Sequence, residues 1–348
     1  MEKNNKNQRT RQGLIINNVG EKLLHKKLKN SVGIIGANGY TGSELVRLLA
    51  FHPNIELKFL FSRSNSGVKI SELYPDLESI CDLVLTNEIS ETDILFLCLP
   101  HKESQNWLNE NPVSDETLII DLGNDFRLDG NFGNRNFVYG LPEIYFNEIQ
   151  NSKSIANPGC FATAIQLALL PLAKENLLKD IYTTGITGST GAGQSLQPTT
   201  HFTWRNDNIS AYKTLNHQHV DEILKQVNLL NEKAVELNFV PWRGDFARGI
   251  FTSSIIGCDL ELEKIYTLYK DFYKDSHFVK ISEKPIDMKQ VVNTNFCVIQ
   301  IEKQGNKIAV HSAIDNLLKG ASGQAVQNMN IANGWEQNLG LNLKPIAF

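Results

Sequence analysis

Paired cysteines are missing from this sequence. The five present, Cys81, Cys98, Cys160, Cys258 and Cys297, are odd in number and widely spaced, with no C-x-x-C pair and no Cys/His cluster at metal-ligand spacing. That excludes a disulfide framework, predicts no metal site, and makes the reducing cytoplasm the expected compartment. Long apolar runs are missing too. Nothing approaches the roughly 20 residues of a membrane-crossing helix, so no membrane partner is expected. Basic charge is scarce outside one end: residues 1–30 carry eight Lys/Arg against two Asp/Glu, leaving 26 against 36, a net −10, in a chain whose total is −4. A body of that sign is not built to grip nucleic acid. The basic end has no serine and lacks the apolar core of a secretory signal, so it reads as a disordered or loosely docked extension. No internal repeat is visible. At 348 residues the chain is long enough for two domains.

From Ser31 onward apolar runs alternate with amphipathic segments, the pattern of a doubly wound α/β domain. Residues 32–36 read as a buried strand, 43–51 as a helix closed by Pro53, 55–61 as a second strand, and 93–100 and 118–122 as two more. Runs apolar on both faces predict a parallel sheet. After Cys160 come one apolar helix, a glycine-rich loop and β-like runs near 236–241, 250–257 and 295–301, as in an α+β domain. The expected division is therefore an extension over 1–30, a nucleotide-binding Rossmann domain over 31–159 completed by about 316–348, and an α+β catalytic domain over 160–315.

The first strand runs into Gly36-Ala-Asn-Gly39-Tyr-Thr-Gly42, a G-x-x-G-x-x-G turn that opens a helix. Such a turn lets backbone N–H groups approach a pyrophosphate at the positive end of a helix dipole. Gly36, Asn38, Gly39, Tyr40, Thr41 and Gly42 are the expected cofactor contacts. Where an NAD site usually places Asp or Glu, at the end of the second strand, this chain has Ser62-Arg63-Ser64. A cation among hydroxyls suits a 2′-phosphate, so NADP(H) is the expected cofactor.

Cysteine is among the most buried residue types, and an arbitrary cysteine is best taken as core. Cys160 has a different setting. Asn157-Pro158-Gly159 is turn chemistry, and the apolar run from Phe161 to Leu170 reads as a buried helix. Cys160 would then occupy a helix N-terminus, where unpaired N–H groups and the macrodipole favour thiolate. A thiolate beside a nicotinamide suggests covalent reduction of an acyl group. His217-Gln-His219 is the paired histidine site that could serve as acid/base; both rings share a face if the segment is extended and diverge if it starts a helix. Gly188-Ser-Thr-Gly191-Ala-Gly193 is a second glycine loop, with Gly191 a candidate for close approach to the cofactor.

Several of these segments resemble one family, the N-acetyl-γ-glutamyl-phosphate reductases of arginine biosynthesis, related to aspartate-semialdehyde dehydrogenases. Gly36-Ala-Asn-Gly-Tyr-Thr-Gly-Ser-Glu-Leu45 resembles its cofactor loop, Asp121-Leu-Gly-Asn-Asp-Phe-Arg-Leu128 its D-L-x-x-D-F-R-L segment, and Tyr139-Gly-Leu-Pro-Glu143 its Y-G-L-P-E. Ile155-Ala-Asn-Pro-Gly-Cys160 resembles the nucleophile motif, and the stretch from Asp315 to Asn330 the C-terminal signature. The resemblance runs from about Val32 to the C-terminus. It implies Cys160 as nucleophile, His217 ahead of His219 as acid/base, Arg127 as a grip on the substrate's phosphate or carboxylate, and Pro100 and Asn316 as cofactor contacts. It also implies a small acyl-phosphate substrate reduced with NADPH, and a homo-oligomer, dimer or tetramer.

One segment departs from the family pattern. Many relatives carry Pro-His ahead of a shared Arg-Gly-Ile, whereas this chain reads Phe239-Val-Pro-Trp-Arg243-Gly-Asp-Phe-Ala-Arg248-Gly-Ile250. Arg243 and Arg248 are candidate carboxylate anchors there, and the acyl group, acetyl, succinyl or aminoadipyl, stays open. Aspartate-semialdehyde dehydrogenase is the near alternative. A cofactor-free Cys-His hydrolase and a non-catalytic NADP sensor are the distant ones.

Overall fold

The structure, a computed structural model, describes residues 29–347. The expectation of a disordered basic extension concerns residues that, up to 28, lie outside those described. Strand β1 (Asn30–Ile35) leads through the glycine loop into helix α1 (Tyr40–Leu49). Then come β2 (Ile55–Phe61), β3 (Leu85–Thr86), β4 (Ile94–Leu97), α2 (Ser104–Glu110) and β5 (Leu118–Asp121). A small hairpin of β6 (Asn131–Phe132) and β7 (Arg135–Asn136) precedes β8 (Val138–Tyr139), α3 (Pro142–Gln150) and β9 (Ser154–Ala156). Seven of these strands form a sheet in the order β3-β2-β1-β4-β5-β9-β8, every pair parallel. Alternate residues serve opposite faces. Ile34, Phe96 and Ile120 join a core with Leu45 and Val46 of α1, whereas Ile35, Leu97 and Ile119 meet Trp107 of α2 and Phe126. Burial on both faces is why these strands are continuously apolar. The order reverses between β1 and β4, which opens a crevice at the carboxyl ends of those strands.

Past β9 the chain builds a second layer pair from α4 (Cys160–Lys174), β10 (Asp180–Thr187), β11 (Ser210–Ala211), α5 (His219–Leu230), β12 (Glu236–Arg243), β13 (Ile250–Gly257), α6 (Leu262–Phe272), β14 (Val279–Ser282), β15 (Cys297–Gln304) and β16 (Lys307–Ile314). Its mixed sheet runs β11-β12-β10-β13-β16-β15-β14. One face is covered by α4, α5 and α6, with Ile165, Leu169, Ile223, Ile265 and Tyr269 in a common core. The other face leaves Tyr182, Trp242 and Ile255 exposed. Helix α7 (Ser322–Ala332) then returns to the first sheet, packing Ala325, Val326 and Met329 into the core that holds Val32 and Leu45.

Some boundaries differ from the sequence reading. Helix α1 starts at Tyr40, three residues earlier than expected, because extended Gly39 already serves as its N-cap, and it ends at Leu49. Strands β9, β10 and β16 were not anticipated. Strand β9 is three residues long, and β10, Asp-Ile-Tyr-Thr-Thr-Gly-Ile-Thr, carries Thr and Gly on its buried face where Val or Ile would have signalled a strand. The C-terminal helix begins at Ser322, six residues after Asn316.

Candidate active site

Strand β9 delivers Asn157-Pro158-Gly159 to the start of α4, and Cys160 is the first residue of that helix. The turn is held from several sides. Asn157 Nδ2 donates to the Ala321 carbonyl at 3.1 Å, its Oδ1 accepts from Asn328 Nδ2 of α7 at 3.1 Å, and its carbonyl accepts from Arg127 Nε at 2.9 Å. The Gly159 N–H donates to Glu222 Oε1 at 2.8 Å, and the same carboxylate accepts the Tyr139 hydroxyl at 2.7 Å and pairs with Arg127 at 3.3 Å. Gly159 has no room for a side chain: a Cβ there would lie 2.4 Å from His219 Nε2 and 2.8 Å from an Arg127 guanidinium nitrogen. Gly320 is pressed against the cysteine in the same way, its would-be Cβ only 2.8 Å from that of Cys160. Cys160, His219, Arg127 and Glu222 are thus brought together from both domains.

Burial pushes the Cys160 thiol up to about 11, against the Phe161 backbone N–H and the Arg127 charge, which pull it down. The expectation that its helix terminus lowers this thiol is corrected. A helix N-terminus supplies up to ~2 kcal/mol in a partly buried setting, less than the loss of water costs a thiolate here. His217 and His219 meet edge to face, 4.7 Å between centroids, although His219 opens α5 and the rings were expected to diverge at a helix start. His217 Nδ1 accepts the His219 backbone N–H at 3.2 Å, which fixes the proton of the neutral ring on Nε2. Burial lowers His217 to about 4 and His219 well below the usual histidine value, so both are neutral at pH 7.

Three expected ligand contacts have other partners. Arg127 is buried, with its N–H groups spent on Glu222 and the carbonyls of Leu122 and Asn157, so it braces the turn and places positive charge beside Cys160. Arg248 bridges Glu44 of α1 at 2.9 Å and Asp315 at 3.0 Å, tying the two domains together. Asn316 accepts the Gly249 N–H at 2.7 Å and donates to Thr190 Oγ1 at 2.9 Å, so it holds the second glycine loop. Other site residues escaped the sequence reading. Glu222 stands three residues after His219, on the same side of α5, a spacing that could have flagged it. His101, directly after Pro100, reaches Gln218 at 3.3 Å across the site; a lone histidine carries no sequence signal.

The glycine loop turns at Gly36, with φ +79° and a would-be Cβ 2.4 Å from the Cys98 carbonyl oxygen. Gly42 sits equally close to the Gly36 carbonyl. The Asn38 carbonyl accepts the Tyr74 hydroxyl at 2.8 Å, and that hydroxyl in turn accepts from Gln194, so the segment after Gly193 lies against the nucleotide loop. Gly39, Tyr40 and Thr41 start α1, and Gly191 is exposed in the short helical turn Ser189–Ala192. Ser62 is buried at the end of β2, with its hydroxyl accepting the Asn65 N–H at 3.2 Å, while Arg63 is exposed and reaches Glu110 at 3.2 Å. Pro100 is exposed three residues beyond the end of β4. A close-packed glycine turn, a helix N-terminus and, at the end of β2, a cation in place of an acid, held only by an exposed pair with Glu110, fit a phosphorylated dinucleotide. Among the described residues, no group of three His, Cys, Asp or Glu side chains is placed to hold a metal ion, and no helix is long and apolar enough to cross a membrane.

Two family models cover the chain: the semialdehyde dehydrogenase NAD binding domain over residues 31–152 and the semialdehyde dehydrogenase dimerisation domain over residues 160–316. Among solved structures, aspartate semialdehyde dehydrogenase II from Vibrio cholerae, complexed with ASA, superposes with a TM-score of 0.68 at 16% identity, covering 88% of this chain and 98% of its own. The Candida albicans aspartate semialdehyde dehydrogenase with NADP gives 0.66 at 14% identity, covering 89% of this chain and 99% of its own. These identities speak for the fold alone. Curated relatives are far nearer: the N-acetyl-gamma-glutamyl-phosphate reductases of Flavobacterium johnsoniae and Phocaeicola vulgatus are 51% and 50% identical, each over 91% of this chain and 99% of the relative. At such identity over nearly the full length of both partners, the chain belongs to the N-acetyl-γ-glutamyl-phosphate reductase family of the semialdehyde dehydrogenases.

Proposed function

We propose that this chain reduces N-acetyl-L-glutamyl 5-phosphate to N-acetyl-L-glutamate 5-semialdehyde with NADPH, releasing phosphate through a thioester on Cys160, in arginine biosynthesis. The observation that carries this reading is the placement of Cys160 on the first turn of a buried helix, with His219 Nε2 and the Arg127 guanidinium against the preceding residue. The names of the full-length relatives supply the substrate.

A thiol held up to about 11 needs a base, and the neutral His219 is positioned to be one. Its Nε2 faces the nucleophile turn, whereas His217 is packed among Phe161, Tyr212 and Phe239 and serves to orient it. The dianionic phosphoryl group of the substrate favours the histidinium and so eases the proton transfer. The Cys160 sulfur attacks the acyl carbon, the carbon–oxygen bond to phosphate breaks, and phosphate departs with the electron pair. Gly36–Gly42 and Ser62-Arg63 would hold NADPH, whose hydride would reduce the thioester to the thiohemiacetal. Collapse of the thiohemiacetal then breaks the carbon–sulfur bond, the aldehyde leaves, and the thiolate recovers its proton from His219. Arg127 and the Phe161 N–H stabilise the thiolate at both ends of this cycle.

Cys160→Ser tests the reading: reductase activity should vanish while NADPH binding, followed by its fluorescence, persists. Retained activity would refute the nucleophile. His219→Asn should lower kcat more than His217→Asn; the reverse order would transfer the acid/base role to His217. The exposed outer face of the second sheet, with Tyr182, Trp242 and Ile255, supports docking of a second copy as a homodimer. The cytoplasm is the proposed place of action, in keeping with the five unpaired cysteines.

A further inference from the structure

We propose that Arg243 anchors a carboxylate of the substrate, making it a specificity residue for the reaction proposed above, on which this inference rests. Arg243 ends β12, pairing with Thr187 on one side, where the second glycine loop begins, and with Ser210 on the other. Its guanidinium carbon lies 4.6 Å from the centre of the Tyr212 ring. That ring stands 5.7 Å from His217, which meets His219 at 4.7 Å. A continuous row of side chains therefore leads from Arg243 to the base beside Cys160.

The other arginines in the described residues have partners. Arg47, Arg63, Arg127 and Arg248 pair with carboxylates, and Arg135 and Arg205 donate to backbone carbonyls. Among the described residues Arg243 meets no carboxylate within 4.0 Å; its guanidinium hydrogen-bonds the Tyr212 hydroxyl, and its buried Nε has no hydrogen-bond partner. A buried donor left unmet where every other arginine of the described residues is committed is a group waiting for a ligand. The planar guanidinium, lying over the Tyr212 ring, presents a fork matched to a carboxylate. Backbone contacts fix its position: Arg205 Nη1 donates to the Arg243 carbonyl at 2.7 Å, and the Gly244 N–H donates to the Thr187 carbonyl at 2.9 Å. Arg243 also lies in the segment that departs from the Pro-His pattern of many relatives, where a difference in substrate grip would be written.

Two carboxylates could meet it: the α-carboxylate shared by every N-acylglutamyl substrate, or a second one on a dicarboxylic acyl group. The test runs the reaction towards acyl phosphate, with semialdehyde, inorganic phosphate and NADP each varied, for wild type, Arg243→Met and Arg243→Lys. Losing a charged hydrogen-bond partner should raise the semialdehyde KM of Arg243→Met by about 10- to 150-fold. Lys should recover part of that loss, and the KM values for phosphate and NADP should stay within about twofold. Equal penalties on N-acetyl and N-succinyl semialdehydes assign the α-carboxylate; a penalty confined to the succinyl compound assigns the acyl carboxylate. A KM change for phosphate alone, or none for the semialdehyde with an active wild type, overturns the inference. A wild type that turns over neither semialdehyde sinks the proposed function itself.

Discussion

Gly159→Ala puts the geometry around the nucleophile to its sharpest test. Gly159 has φ −70° and ψ 151°, a conformation alanine adopts freely, so the exchange adds no backbone strain and acts through the one methyl group. That methyl would stand 2.4 Å from His219 Nε2, where ordinary contact begins near 3.4 Å, so the imidazole must retreat by about 1 Å. Arg127, 2.8 Å away, must shift as well, and both side chains are 5% exposed with little space to yield into. Overpacking of this kind costs about 1–3 kcal/mol of stability. A displacement of about 1 Å in a positioned catalytic group costs about 100-fold in rate. Steady-state kinetics should therefore show kcat down by about two orders of magnitude, with NADPH affinity unchanged by fluorescence titration. A folded Gly159→Ala protein with kcat within threefold of wild type would show that His219 does not act from this position.

Arg63→Ala should raise the KM for NADPH by about tenfold and leave that for NADH unmoved, since the exposed pair with Glu110 is too weak to hold the guanidinium from a 2′-phosphate; equal effects on the two cofactors would refute the assignment. Alkylation of ligand-free Cys160 by iodoacetamide, measured against Cys160→Ser, should rise about tenfold per pH unit towards its midpoint near 11, and a plateau by pH 9 would contradict the role of desolvation. His217, lowered to about 4, binds its proton more weakly folded than unfolded, so it adds about 3 kcal/mol above pH 6.5 that is lost as pH falls through 4. Urea melts of His217→Gln should accordingly lose less stability than wild type between pH 7 and 4.5, and parallel losses would count against a buried neutral ring. Asp121, raised to about 6 by burial, shifts stability in the opposite sense, but equally in both proteins.

Much of the nucleotide crevice was legible because its signals are local. Gly36 and Gly42 are demanded by a turn whose backbone leaves no space for a Cβ, Gly36 also at positive φ, and Ile55–Phe61 declares a buried strand by composition alone. Strand β10 was not legible, because Thr and Gly on its inner face accommodate Phe161 and Thr252, neighbours distant in sequence. The shared polar cluster was hidden for the same reason: Glu222, Tyr139, Arg127 and Asn328 converge on the nucleophile turn from four separate segments.

The sequence by itself determined the two-domain plan, the family, the nucleotide loop and the cysteine at the head of an apolar helix, all properties of contiguous residues. Only the tertiary structure decided the thiol's electrostatics and the arginines' partners. Whether desolvation or a helix dipole governs Cys160 depends on what surrounds it in space, and only the packed chain shows that Arg127 and Arg248 pair with internal carboxylates while Arg243, among the described residues, meets Tyr212 and no carboxylate.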